Sequence, residues 1–186
     1  PRDSFILATK ARPDTVDREH APEGKSIKKE TVKTFMDKVD ISLKRLGVKY
    51  VDILYYHSAK TREHVFDKTV ITAMKKLKDA GKIKYIGIST HRNEAEVIRA
   101  AAESNVYEII LTSYLFRQRN LADVEKAIAE AAKAGLGIIA MKTQAGVYWD
   151  KEKKEPINMK AALKWALQNP NIHTSIPSFN TFDQLE

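Results

Sequence analysis

The sequence predicts an α/β fold, a (β/α)8 TIM barrel of which about six of the eight β/α units are present and the first two strands are missing. Short apolar runs alternate with amphipathic segments along the 186 residues. Runs such as GIIA at 137–140 are apolar throughout, as parallel strands buried on both faces are. Some runs end on a side chain with useful chemistry, as at Lys10 and His57. Active sites of such barrels lie at the carboxyl ends of the strands, so these ends indicate where the site lies.

The predicted elements alternate strictly. A strand at 5–9 is followed by a helix at 26–45, which begins at Ser26 and is closed by Gly47. Later helices stop at Gly81, at Gly135 and before Pro170, as helix stop signals require. The remaining strands are predicted at 51–57, 84–90, 107–114, 137–142 and 172–177, and the remaining helices at 65–80, 93–104, 121–134 and 159–168.

The number of units predicts an incomplete barrel. A closed barrel of this kind has eight units in about 250 residues. The chain begins just before a strand, without a methionine, and its last residues, 181–186, only begin a helix. The expectation is an internal fragment of one barrel domain, spanning residues 1–186, with two strands upstream and a helix downstream. The alternative is a complete open sheet, which would leave both edge strands and one sheet face uncovered.

The composition excludes several classes of site. Hydrophobic residues make up 43% of the chain, enough for a sizeable core, and no apolar run approaches the roughly 20 residues of a membrane span. The chain has no cysteine, which excludes disulfides, thiolate nucleophiles and Cys-ligated metal sites within these residues. No metal site is predicted. The composition fits a reducing compartment, and we expect a cytoplasmic protein.

The net charge of +8 raises the question of nucleic acid. The lysines are spread over helix surfaces, often beside Asp or Glu, and no aromatic platform or recognition motif accompanies them. A solvated helix face explains this pattern better than a nucleic-acid interface. A cationic rim would also attract a phosphate-bearing cofactor.

Three motifs in order resemble the aldo-keto reductase family. SLKRLGVKYVDILYYH, from Ser42 to His57, is similar to the family's signature that ends on the active-site histidine. LKDAGKIKYIGIS, from Leu77 to Ser89, is similar to its fifth-strand signature. ALKWALQ at 162–168, followed by SIP at 175–177, is similar to the approach to the eighth strand. The resemblance covers the chain, from the family's third strand to the start of its eighth helix.

The resemblance implies an oxidoreductase that transfers a hydride between NAD(P)H, usually NADPH, and an aldehyde or ketone. The family uses Asp, Tyr, Lys and His; Lys10 matches the lysine and His57 the histidine. The Asp and Tyr belong upstream of this segment, so the fragment alone is expected to be inactive. Tyr55 and Tyr56 adjoin His57 but lie in the wrong unit for the proton donor.

The residue types suit that chemistry. A free tyrosine has a pKa of about 10, too high for an efficient acid at neutral pH. A nearby ammonium such as Lys10 lowers that pKa, and a histidine such as His57 can hydrogen-bond the substrate oxygen. Without the resemblance, a solvent-facing lysine and a structural histidine are the simpler interpretations of these two residues.

The resemblance also implies contacts to the nicotinamide. Ser89 and Thr90 match a pair that contacts the nicotinamide amide, and Tyr114 matches an aromatic that stacks on the ring. The family often has Gln-x-x-Tyr-Asn here, but this chain has LTSYL at 111–115. Both amide side chains are replaced by leucine, which makes Ser113 the expected polar partner.

Other residues match the part of the family's site that holds phosphate groups. Met141 and Lys142 end the strand beside which the pyrophosphate passes. Ser178, Asn180 and Gln184 match the loop and helix start that hold the adenosine phosphate, because free N–H groups at a helix start bind phosphate. For Ser178 and Asn180, N-capping of the helix is an equally good interpretation.

Some alternatives stay open. The aromatic pair Tyr148 and Trp149 either lines a substrate pocket or covers the barrel mouth. An aldo-keto-reductase-like regulatory or sensor subunit, which binds cofactor with little turnover, is the second hypothesis for function. A basic β/α domain that binds a phosphorylated ligand without redox chemistry is the third. The expected partner is a small carbonyl substrate, with neither nucleic acid nor a membrane, and NADH is possible as the cofactor.

Overall fold

The computed structural model describes residues 2–13, 30–144, 154–179 and 181–182. Its strands form one parallel sheet with the order β1-β2-β3-β4-β5-β6, which confirms the predicted α/β class. Within the described residues the sheet is not closed, because β1 and β6 are its two edges. The strands are β1 Ala8–Ala11, β2 Val51–Tyr56, β3 Ile83–Thr90, β4 Ile109–Ser113, β5 Gly137–Met141 and β6 Thr174–Ser175.

Helices alternate with these strands, as the hydrophobic periodicity predicts. They are α1 Val32–Leu46, α2 Arg62–Val65, α3 Lys68–Asp79, α4 Glu94–Ser104, α5 Leu121–Lys133 and α6 Met159–Leu167, and a short 3-10 turn, Arg2–Ser4, precedes β1. None of the helices in the described ranges is long and apolar enough to cross a membrane.

The first strand lies further along the chain than the predicted 5–9. Phe5 and Ile6 are 54% and 76% exposed, and pairing with β2 starts only at Leu7. The carboxylate of Asp52 accepts a hydrogen bond from the Leu7 N–H at 2.9 Å, and the Leu7 carbonyl accepts one from the Asp52 N–H at 2.8 Å. These bonds fix the register, so the paired strand runs on to Ala11.

The predicted start of the first helix is also corrected. The helix expected from Ser26 begins at Val32, and residues 14–29 lie outside the described part of the chain. Thr31 caps it: its hydroxyl accepts from the Thr34 N–H at 3.1 Å, and the Thr34 hydroxyl accepts from the Thr31 N–H at 2.9 Å. Gly47 closes the helix with φ 66°, a left-handed conformation that favours glycine.

The single helix predicted at 65–80 is two helices. α2 ends at Val65 and α3 begins at Lys68. The Asp67 carboxylate accepts from the N–H groups of Thr69 and Val70 at 2.8 and 3.1 Å, so a new helix begins there.

The sheet buries its two faces differently. On the outer face, the helices pack against side chains such as Leu54, Ile88 and Ile110. On the inner face, a smaller apolar cluster joins neighbouring strands; its buried members are Ile53, Tyr55 and Leu111, with Ile109, Ile139 and Met141 packed against them. Since side chains alternate along a strand, Lys10, paired with Tyr55, belongs to this inner face.

Candidate active site

Lys10 and His57 lie together at the carboxyl end of the sheet. Lys10 is in β1, and His57 directly follows β2, its parallel neighbour. The His57 N–H donates to the Ala11 carbonyl at 2.9 Å, which continues the strand pairing to the histidine itself. Lys10 pairs with Tyr55, two residues before His57, so both side chains are on the inner face. The predicted shared rim is the geometry observed, and the catalytic role of the two residues stays a prediction.

The surroundings of His57 keep its ring neutral. Partial burial lowers the pKa of His57 below its usual value, because burial penalises the charged imidazolium. The pKa of His57 is lowered further by the nearby positive charges of Lys10 and Arg12 and by His91. A neutral imidazole at pH 7 can donate one hydrogen bond and accept another, which is what a residue that orients a carbonyl oxygen needs.

Ser89 and Thr90 end β3 beside His57, but their hydroxyls are used inside the protein. The Ser89 hydroxyl donates to the Tyr56 carbonyl at 3.3 Å and accepts from the Ser58 N–H at 3.0 Å. The Thr90 hydroxyl donates to the Arg92 carbonyl at 2.8 Å. Both serine and threonine are buried, at 1% and 0% exposure. By the strand register Ser89, paired with Leu111, belongs to the inner face, and Thr90, paired with Thr112, belongs to the outer face.

Ser113 ends β4 and is also paired internally. Its hydroxyl donates to the Glu94 carboxylate at 2.6 Å, and both residues are buried. Glu94 is the first residue of α4, so this bond joins the end of one strand to the start of the neighbouring helix. Leu111, on the inner face, occupies the place of the family's glutamine and presents no polar group.

Tyr114 packs inside the protein, not at the surface where it was predicted to stack on the nicotinamide ring. It is 1% exposed, its ring stacks on Trp165 with a centroid separation of 4.8 Å, and its hydroxyl donates to Glu125 at 2.8 Å. The Asn169 side chain donates to the same hydroxyl at 3.1 Å. Tyr114 packs in the helix-side core, because it has the outward parity of Thr112 rather than the inward parity of Leu111. The predicted stacking on a nicotinamide is therefore not the geometry of this structure.

Of the residues predicted to hold the cofactor's phosphate groups, Met141 and Lys142 lie at the end of β5 and Ser178 lies beyond β6. Met141 packs on the inner face, and Lys142 follows it, exposed and with φ 58°. Ser178 is exposed after β6. Asn180 and Gln184 lie outside the described residues, as do Tyr148 and Trp149 of the segment at 145–153.

Positive charge collects at the rim that carries Lys10. Lys10, Arg92 and Lys142 are exposed at or just beyond the ends of β1, β3 and β5, with His57 and His91 between them. Partial burial, followed by the charge of Lys142, lowers the pKa of His91. The rim suits a negatively charged ligand, and its inner apolar cluster suits a flat ring, so the residues fit a phosphate-bearing nicotinamide cofactor.

Sequence reasoning gave no role to His91 or to Ser58. The Ser58 hydroxyl lies 3.2 Å from the Nε2 atom of His91, and Ser58 has φ 64°. The position of His91, directly after the Ser-Thr pair, is visible in the sequence, but its contact with Ser58 is not. The left-handed conformation of Ser58 is not visible either, because serine has no sequence preference for that conformation.

Comparison with known proteins identifies the family. The model of the aldo/keto reductase family matches residues 1–161, most of the chain. The chain belongs to the aldo/keto reductase family. The predicted membership of this family is thus confirmed. Aldo/keto reductases are oxidoreductases that act on carbonyl compounds with nicotinamide cofactors.

Relatives support the same family. Over 64 residues the chain is 41% identical to aldo-keto reductase yakc [NADP(+)] of Schizosaccharomyces pombe, a match that covers 34% of this chain and 18% of that protein. The fold of this chain is similar to that of the aldo-keto reductase AKR11C1 from Bacillus halodurans in its holo form, with a TM-score of 0.73 and 20% identity. The match covers 99% of this chain and 65% of that one.

A second fold match is the aldo-keto reductase MGS-M4 from a Medee basin deep-sea metagenome library, with TM-score 0.66 and 16% identity. It covers 96% of this chain and 62% of that one. The fold of the six strands is therefore that of part of the (β/α)8 barrel of these reductases. The chain spans less than two thirds of the length of each of these two structures.

Proposed function

We propose that the protein to which this chain belongs reduces a small aldehyde or ketone with NADPH. The observation that carries the proposal is the adjacency of Lys10 and His57 on the inner face, at the carboxyl rim of the sheet. In β/α barrels this rim bears the active site. The cofactor in the name of the Schizosaccharomyces pombe relative, NADP(+), supports NADPH over NADH.

Each of the two residues has a definite task in this proposal. The exposed ammonium group of Lys10 lowers the pKa of the phenol that protonates the carbonyl oxygen, since a nearby positive charge favours phenolate. The neutral ring of His57 hydrogen-bonds the same oxygen and fixes the direction of approach. Bound NADPH supplies the hydride to the carbonyl carbon. The phenol and its partner aspartate are expected on a segment upstream of Pro1.

The residues proposed to bind the cofactor differ from the set expected from sequence. Lys142 and Met141, at the end of β5, are proposed beside the phosphates and the ring, because one is exposed and charged and the other lies on the inner face. Ser178, Asn180 and Gln184 are proposed at the adenosine phosphate. Thr90 and Ser113 border the nicotinamide region through their backbone, since their hydroxyls are used within the protein.

The experiment compares Lys10→Met with Lys44→Met in the full-length protein. Lys44 is an exposed lysine in the last turn of α1, so it controls for the loss of one positive charge. We expect kcat to fall about 100-fold or more for Lys10→Met, as loss of acid–base assistance costs about 10²–10⁴. Lys44→Met should retain the wild-type rate.

The same experiment separates the alternatives. Wild-type protein that binds NADPH but reduces none of a panel of aldehydes and ketones would replace this proposal with a regulatory or sensor subunit. Wild-type turnover that survives in Lys10→Met would show that the lysine has no part in the chemistry. We further propose a cytoplasmic location and a small carbonyl substrate as the partner, with neither nucleic acid nor a membrane.

A further inference from the structure

The carboxylate of Glu94 is held at the carboxyl rim of the sheet. The Ser113 hydroxyl donates a hydrogen bond to the Oε1 atom of Glu94 at 2.6 Å. Ser113 pairs with Met141, which packs against the inner apolar cluster, so the side chain of Ser113 belongs to the inner face. This bond therefore places one carboxylate on the inner side of the rim, beside the end of β4.

The turn between β3 and α4 brings Glu94 to this place. Asn93 has φ 51°, a left-handed conformation that asparagine adopts more readily than most residues. Its side-chain amide donates to the Lys60 carbonyl at 2.8 Å, so the turn is tied to the segment that follows β2. Glu94 is the first residue of α4, and the start of a helix favours a negative charge. The backbone and Ser113 together fix the position of the carboxylate.

The charge of Glu94 is not neutralised by a bonded cation. Within the described residues, the Glu94 side chain makes no second hydrogen bond and no ion pair. Its charge reaches the neighbouring strand end: partial burial and the charge of Lys142 lower the pKa of His91, and the charge of Glu94 opposes them. The carboxylate can therefore act on a ligand that binds between the ends of β3 and β4.

The nicotinamide ring is proposed in this part of the rim. Ser89, at the end of β3, pairs with Leu111 on the inner face, and both lie beside the predicted ring position. Leu111 stands where the family often has glutamine and presents no polar group. Lys142, an exposed cation beyond β5, suits the phosphates, whereas Glu94 borders the ring with the opposite charge.

The nicotinamide ring is neutral in NADPH and carries a positive charge in NADP+. A fixed negative charge near the ring stabilises the oxidised form more than the reduced form. We propose that Glu94 sets the redox-state preference of this site, because its carboxylate strengthens the binding of NADP+ and leaves that of NADPH nearly unchanged. The carboxylate thereby favours hydride donation to the substrate. This inference rests on the reductase function proposed above.

Glu94→Gln in the full-length protein is the test, with Glu96→Gln as the matched control. Glutamine keeps an acceptor for the Ser113 hydroxyl and removes the charge. Glu96 lies in the same first turn of α4, but it is exposed and accepts from the Arg62 N–H at 3.0 Å. The dissociation constants of NADP+ and NADPH are measured for each protein by calorimetric titration, at one ionic strength because salt screens charges.

We expect Glu94→Gln to weaken NADP+ binding about tenfold, which is about 1.4 kcal/mol. The NADPH dissociation constant should stay within about twofold of wild type. The ratio of the two constants sets the reduction potential of the bound couple, so a tenfold change raises that potential by about 30 mV. Glu96→Gln should change neither constant by more than about twofold.

A second variant tests the role of the hydrogen bond. Ser113→Ala keeps the charge of Glu94 but removes the group that holds it on the inner side of the rim. It should lower the preference for NADP+ by a smaller factor, about threefold, because a released carboxylate moves into water, where its field is weaker. This variant carries the test if Glu94→Gln fails to fold, as judged by circular dichroism.

Two results would overturn the inference. One is an equal loss of affinity for NADP+ and NADPH in Glu94→Gln, which would give Glu94 a purely structural role. The other is a ratio of the two constants that is unchanged in both Glu94→Gln and Ser113→Ala. Protein that binds both forms but reduces no carbonyl would refute the proposed function alone, because the ratio would still test Glu94. Protein that binds neither form would refute both.

Discussion

Gly87, in the middle of β3, leaves room for the Tyr55 ring of β2 on the inner face. An ideal Cβ atom at this position would lie 2.5 Å from the Tyr55 Cδ1 atom, 2.8 Å from its Cε1 atom and 3.2 Å from the Ile53 Cγ2 atom. Tyr55 is 3% exposed, and Ile53 belongs to the same inner apolar cluster. The Tyr55 ring cannot keep its position beside an alanine, because contacts under 3.0 Å essentially never occur at a real Cβ atom.

We therefore expect Gly87→Ala to lower the free energy of unfolding by about 1–3 kcal/mol, the usual cost of overpacking a core. Since Lys10 pairs with Tyr55, displacement of the ring also disturbs the lysine, so kcat should fall as well. The measurement is equilibrium unfolding in urea of the full-length protein, together with steady-state turnover.

Gly137→Ala is the matched control. Gly137 lies in β5, and a Cβ atom there meets Ile109 at 3.5 Å, an ordinary van der Waals contact. This variant should be neutral or more stable by about 0.4–1 kcal/mol, since alanine restricts the unfolded chain. Combining Gly87→Ala with Tyr55→Val should cost less than the two single changes together, because the clash is then absent. Equal stability of the two alanine variants would refute this account of the inner face.

Three further predictions follow from other parts of the structure. Tyr114→Phe should destabilise the protein by about 0.5–1.5 kcal/mol in urea unfolding, because the hydroxyl contact to Glu125 is lost. The NADPH dissociation constant should stay unchanged. Weaker NADPH binding would show that Tyr114 contacts the cofactor. For Asp52, burial raises the pKa of its carboxyl, but hydrogen bonds from Leu7, Lys84 and Arg2 outweigh burial and lower that pKa below its unfolded value. The ionised Asp52 carboxylate therefore stabilises the fold above about pH 4, and this stabilisation is lost as the pH falls towards the pKa of Asp52 in the folded protein. Asp52→Asn should therefore flatten the acid side of a curve of unfolding free energy against pH. An unchanged curve would contradict this prediction. The isolated 186-residue chain should aggregate or melt broadly in a thermal scan and should reduce no carbonyl with NADPH, because large side chains such as Phe5 and Ile6 are exposed beside an open sheet edge; a sharp transition with turnover would contradict that.

The sequence alone predicted the architecture, which is confirmed, and the location of the candidate site, which stays a prediction. The period of the apolar residues separates strand from helix, and glycine or proline at a helix end is a local signal, so the β/α alternation could be deduced without any long-range contact. Lys10 and His57 were found because a parallel sheet brings the carboxyl ends of its strands to one edge. The direction of each strand places the two residues at one rim, and the resemblance to the family is what makes them candidate catalytic residues.

The tertiary structure decided which polar groups are available. Ser89, Ser113 and Tyr114 all stand at strand ends, yet each hydroxyl is bonded to a group 11 or more residues away in sequence. Side chains alternate between the two faces of the sheet, and this alternation at the end of β4 places Tyr114 on the helix side. The start of the first strand is set by the hydrogen bond from the Leu7 N–H to the carboxylate of Asp52, 45 residues away in sequence. Local pattern predicts the elements because the backbone's own hydrogen bonds and hydrophobic periodicity are local. The partner of a single hydroxyl depends on which distant residues the completed packing brings within hydrogen-bonding distance, and no local pattern contains that information.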